Sequence, residues 1–123
     1  MAKTFEELLV WQESRALVRE VYRISESGDF RRDFALRAQI RRAVISIPSN
    51  IAEGFERGGR REFRQFVAVA KGSCGEVRTQ LYIARDIGHV EPGAADLLIE
   101  RTVQIGRMLG ALRRALIPAG RRA

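Results

Sequence analysis

The stretch AADLLIERTVQIGRMLGALRRALI, residues 94–117, decides the fold. Ala94, Leu97, Leu98, Ile105, Met108, Leu109, Leu112 and Leu116 recur on one side at helical spacing, and Ala95, Ile99, Val103, Gly106, Gly110 and Ile117 fall on the opposite side. One helix with two apolar sides has two surfaces to pack against. One is expected to meet the core of its own subunit, the other a second subunit or a dedicated partner. Gly106-x-x-x-Gly110 supports the second expectation, because small residues at that spacing let another helix approach closely.

The same period recurs upstream. Phe63, Phe66, Val67, Ala70, Cys74, Val77, Leu81 and Ala84 alternate in steps of three and four, the spacing of near-parallel packed helices. This predicts a helix over 60–87, with Gly88 as its C-cap and Pro92 in the first turn of a last helix over 93–116. Leu36, Ile40, Ala43, Val44, Ile47 and Ile51 predict a helix over 31–56 that Pro48 kinks near Val44 and Gly58-Gly59 ends. A first helix over 5–25 opens on Thr4 and Glu7 at capping-box spacing. Its stripe of Leu8, Trp11, Val18 and Tyr22 is widened by Val10, Leu17, Val21 and Ile24, again more apolar surface than one core requires. No sustained period-2 alternation marks a strand. Four helices with short loops give an all-α, up-down-up-down antiparallel four-helix bundle, one domain over 1–123 with a frayed tail at 119–123. Val10, Leu17 and Val21 on the first helix and Ile99, Val103, Gly106, Gly110 and Ile117 on the last are the expected oligomer interface.

Composition limits the chemistry. Apolar residues make up 46% of the chain and charged residues 30%, an ordinary globular balance. Cys74 is the only cysteine, which excludes an internal disulfide and fits a reducing compartment. No signal peptide and no bilayer-spanning run is apparent, so a cytoplasmic protein without membrane contact is expected. The single histidine, His89, leaves Asp86-x-x-His89 as a lone fragment of a carboxylate metal site. No nucleophile has a base at sensible spacing, and no phosphate-binding glycine loop is present. Neither catalysis, metal nor cofactor is therefore expected.

The net charge of +7 is uneven: residues 31–64 hold nine arginines against four acids. Arg37 and Arg41 stand one turn apart, and Arg60, Arg61 and Arg64 gather at the start of the third helix, close to Arg57. Guanidinium forks suit phosphate, which makes these six the expected nucleic-acid contacts. The competing reading is a solvated face locally balanced by Glu56 and Glu62, with a protein partner in place of nucleic acid. No aromatic residue interleaves with these arginines, so stacking on single-stranded bases is not suggested. SIPSNIAEG, residues 46–54, is the oddest segment. Ser46, Ser49 and Asn50 either satisfy carbonyls freed by Pro48 or, with Glu53, form a polar ligand-facing patch.

FEELLVWQESRALVREVY (5–22), QIRRAVISIPSNIAEGFERG (39–58) and FVAVAKGSCGEVRTQLYIARDIG (66–88) resemble a known family. It comprises the four-helix-bundle proteins encoded in intervening sequences of bacterial 23S ribosomal RNA genes, often labelled S23 ribosomal proteins. The match is most specific at SIPSNIAEG and GS-x-x-E-x-x-x-QL, and departs at Arg31, where the family commonly has proline. The resemblance implies a left-handed bundle, a ring-like homo-oligomer (a pentamer) and no catalytic residues. It singles out Ser46, Pro48, Asn50, Glu53, Gly54, Ser73, Glu76 and Gln80 as motif positions.

Overall fold

The computed structural model describes residues 2–117. The expected frayed tail at 119–123 lies outside the described residues. Four helices carry the fold: α1 Leu9–Ser25, α2 Phe34–Glu56, α3 Arg60–Asp86 and α4 Pro92–Ala115. Two short 3-10 turns, Phe5–Glu7 and Gly28–Arg32, precede α1 and α2. Among the described residues there is no strand. α1 packs on α2, α2 on α3, α3 on α4, and α4 back on α1 more lightly, closing a four-helix bundle.

The helix ends follow local chemistry. The backbone turns extended at Leu8, so the first expected helix divides there. Thr4 does not cap the amides. Its hydroxyl instead donates to the Glu7 carboxylate at 3.3 Å, and the Lys3 amide reaches the same carboxylate at 3.5 Å. α2 begins at Phe34 rather than Arg31, because Asp33 is the N-cap and accepts from the Leu36 amide at 3.1 Å. α3 ends in a Schellman motif. Gly88 adopts φ 82°, its amide bonds to the Arg85 carbonyl, and the His89 amide bonds to the Ala84 carbonyl. α2 remains helical through Pro48 to Glu56.

The core is built from Leu17, Val21, Ile40, Val44, Ile47, Ile51, Val67, Val77, Leu81, Ile105 and Leu109, with Phe30 closing one end. The α2 and α3 stripes fall where their periodicity puts them. Those of α1 and α4 do so only in part: Leu98, Ile105 and Leu109 are buried and Met108, Leu112 and Leu116 pack on the core, as do Leu8, Trp11 and Val18 of the first stripe. On α4 the buried residues are Ala95, Leu98, Ile99, Thr102, Ile105 and Leu109. Ala95 and Ile99, expected on the outer side, belong to the core, and Leu97, expected in the core, is 70% exposed. Thr102 completes this buried set. Its hydroxyl donates to the Ile99 carbonyl at 2.6 Å and so buries without penalty, and the core stripe runs straight through a residue that reads as polar. Ser14 does the same on α1, donating to the Val10 carbonyl at 2.6 Å.

The expected interface changes accordingly. Val10, Leu17, Val21 and Ile99 are buried inside their own subunit and offer no side chain to a second one. Each stabilises the monomer by roughly 1.5–3 kcal/mol through burial. Val103, Gly106, Gly110 and Ile117 remain partly accessible.

Candidate nucleic-acid interface

The six arginines expected to contact nucleic acid do not form one surface. Arg41 is the most committed of them. It reaches Ser25 Oγ at 2.9 Å, the Tyr22 carbonyl at 3.3 Å and the Glu26 carboxylate at 2.9 Å. Its guanidinium lies 4.3 Å from the Tyr22 ring centroid, and the side chain is only 18% exposed. Arg41 ties α2 to the end of α1. The hydrogen bond from Arg41 is also the main reason the Glu26 carboxyl is held below the usual range.

The others divide similarly. Arg37 donates to the Arg31 carbonyl at 2.9 Å and stacks near Phe34. Arg57 is neutralised by Glu53 at 2.8 Å and Glu62 at 3.6 Å, with the Glu53 hydrogen bond raising its pKa most. Arg60 reaches the Ala115 carbonyl at 2.8 Å, satisfying the end of α4. Arg64 is partly buried, with Nε unpartnered. Arg61 is exposed and makes no ion pair among the described residues.

The polar segment around Pro48 is a cross-helix clasp. Asn50 Nδ2 donates to the Ser46 carbonyl at 2.7 Å and to Ser46 Oγ at 2.8 Å, and Ser46 Oγ meets Ser73 Oγ on α3 at 2.9 Å. Asn50 therefore holds the Ser46 carbonyl, not that of Val44, the group Pro48 would free. Ser49 is exposed, and Glu53 is engaged by Arg57. Gly54 has a strict steric role: a Cβ there would stand 2.6 Å from Phe66 Cβ and 3.3 Å from Phe63 Cα. Bare backbone at this position is what lets α2 and α3 meet. Gln80 is buried with Oε1 unpartnered, and Glu76 is exposed. His89 Nε2 lies 2.9 Å from Asp33 Oδ2, with its ring stacked on Phe30, so the histidine latches the α3–α4 loop to the start of α2. Its hydrogen bond is the largest cause of the lowered Asp33 pKa.

The sequence reading missed a second basic region. Between α3 and α4 lies a groove of about 320 Å³ lined by Lys71, Cys74, Gly75, Arg78, Val103, Gly106, Arg107, Gly110 and Arg114. Val103, Gly106 and Gly110, expected at an oligomer interface, thus share a groove with four cations. Its signal is a seven-residue recurrence: Arg64, Lys71 and Arg78 on α3, Arg107 and Arg114 on α4. These residues lie mostly outside the arginine-rich stretch at 31–64.

The features together are those of a basic all-helical bundle with more cations than it pairs internally. The model of the 23S rRNA-intervening sequence protein family matches residues 6–111, and the chain belongs to that family. Among solved structures it is similar to a protein of unknown function from the S23 ribosomal protein family of Bacteroides thetaiotaomicron. The two are 17% identical with a TM-score of 0.78, covering 86% of this chain and 99% of that one. At that identity the likeness is one of fold. No curated protein matches. Neither the family nor the solved relative is described by an enzymatic reaction. No helix among the described residues is long and apolar enough to cross a membrane.

Proposed function

We propose that this protein is a non-enzymatic, cytoplasmic homo-oligomer that binds nucleic acid, RNA by preference, through its basic surface. The observation that carries this reading is charge left over after internal pairing. The chain has a net charge of +7, and Arg61, Lys71, Arg78, Arg107 and Arg114 make no ion pair among the described residues. A surplus of this kind favours a polyanionic partner. The preference for RNA rests on the family's association with 23S ribosomal RNA genes.

The bundle in this reading is antiparallel, up-down-up-down and left-handed, a single domain that closes into a ring. A pentamer is the form the resemblance favours. Exposed apolar side chains support assembly: Phe34 is 71% exposed, Leu9 61% and Ile87 54%, alongside Leu97. Burying them would also multiply the basic surface, adding avidity without new contacts. The same side chains favour a second reading, in which a protein partner docks on them and nucleic acid plays no part.

Fluorescence anisotropy with a labelled RNA oligonucleotide, on nuclease-treated protein, tests the proposal. Binding that weakens steeply as salt rises is expected. No binding at low salt would contradict it and leave the protein-scaffold reading. Light scattering on the same sample reports the subunit count.

A further inference from the structure

We propose that the α3–α4 groove is the seat of the nucleic-acid backbone, with Lys71, Arg78, Arg107 and Arg114 receiving its phosphates. This rests on the nucleic-acid reading above and says where on the molecule it happens. Four cations line the groove, and no carboxylate does. None of the four makes a salt bridge or a side-chain hydrogen bond among the described residues, whereas Arg41 and Arg57 find carboxylates within 3 Å. Like charges gathered around one concavity repel one another, and an anion in the groove relieves that repulsion.

The floor is suited to a close-lying chain. A Cβ at Gly75 or Gly106 would meet nothing within 4 Å, and one at Gly110 would touch only Lys71 Cε at 3.5 Å and an Arg114 terminal nitrogen at 3.6 Å. Glycine inside a helix is unfavourable. At Gly54 the fold itself requires it, but nothing in the subunit uses the space at Gly75 and Gly106. Cys74 adds no negative charge, since burial pushes its thiol up to about 12 even with Lys71 and Arg78 nearby.

Spacing identifies the ligand class. Lys71 and Arg78 are seven residues apart, as are Arg107 and Arg114, so each pair is separated by roughly 10 Å along its helix. Charges spread in this way match an extended polyanion better than a single small ion. Aromatic residues are absent from the lining, which leaves no platform for stacked bases. Recognition through phosphates alone carries little sequence preference.

Three variants test the inference by anisotropy with a 20-nucleotide labelled RNA, each confirmed as folded by circular dichroism. Replacing Lys71, Arg78, Arg107 and Arg114 together with glutamine should weaken binding by roughly 10²–10³-fold at moderate salt. Replacing Arg57, Arg60 and Arg61 with glutamine should weaken it by less than about tenfold. Gly106→Leu fills the floor, leaves every charge in place and should weaken binding by about tenfold. Wild-type affinity in the fourfold variant, or in Gly106→Leu if the fourfold variant does not fold, would overturn the groove assignment. If the Arg57, Arg60, Arg61 variant alone lost binding, the nucleic-acid reading would stand and the groove would not. Failure of the wild-type protein to bind at low salt would remove both.

Discussion

Arg41 on α2, Arg57 at its C-cap and the cations of the α3–α4 groove carry the same formal charge and have different fates. Arg41 commits its charge to three internal partners and an aromatic face, and Arg57 is held between two glutamates. Lys71, Arg78, Arg107 and Arg114 find no such partners among the described residues and share one concavity. A count of basic residues along the chain measures the first population as readily as the second. Only the availability of each charge decides what it can do for a ligand, and that depends on neighbours in space.

Substitution separates the two populations, beginning with a helical glycine that the fold requires. Gly54 is closed in by Phe66 and Phe63, so Gly54→Ala should destabilise the fold by roughly 1–3 kcal/mol, as overpacking does, lowering the urea midpoint. A midpoint unchanged from wild type would mean that α2 and α3 can separate freely. Arg41→Ala should cost about 2 kcal/mol, because it removes charge-assisted bonds at a mostly buried position. It should leave RNA affinity within about twofold once folded. A large loss of affinity with intact stability would place Arg41 on the ligand surface.

Smaller effects sharpen the same division. Gly106→Ala should stabilise the protein by about 0.5–1 kcal/mol, since the helical backbone accepts alanine and the added methyl meets nothing. Thermal melting would show the sign, opposite to that at Gly54. The smallest effect concerns pH. Glu26 is held below its ordinary pKa chiefly by the Arg41 hydrogen bond. A depressed carboxyl contributes stability above its unfolded value and loses it as pH falls through the folded one. Melting curves should therefore place Glu26→Gln slightly below wild type at pH 7, with the gap closing in the acidic range below about pH 4. A gap that persisted there would show that the pair contributes through packing instead.

The fold was legible where burial follows polarity and obscured where it does not. The apolar core positions of α2 and α3 can be read directly, although α3 also buries Ser73 and Gln80. On α4 Leu98, Ile105 and Leu109 face the core as read, but Thr102, its hydroxyl returned to the Ile99 carbonyl, lies there too with Ala95 and Ile99, while Leu97 is exposed. On α1 Ser14 hides the true stripe by the same device, and the core residues Val10, Leu17 and Val21 look like surplus. The four helices were legible from periodicity alone, and the family resemblance is confirmed. The site was harder, because residue type alone does not reveal pairing. Arg57 is flanked by acids that proximity in sequence suggests, but Arg41 meets Ser25 and Glu26 only through the packing of α2 on α1. The groove cations come from two helices far apart in the chain, and only the packing of α3 on α4 brings them together.

In this proposal the unpaired groove cations, more than the arginine-rich stretch, meet nucleic-acid phosphates. The most direct measurement is the salt dependence of RNA affinity, plotted as log K against log salt, for wild type and for the fourfold Lys71, Arg78, Arg107, Arg114 glutamine variant. Each cation that no longer meets a phosphate reduces the steepness by about 0.7 for single-stranded RNA, so the variant's slope should be shallower by about three for RNA spanning one groove. Parallel lines for the two proteins would contradict the account.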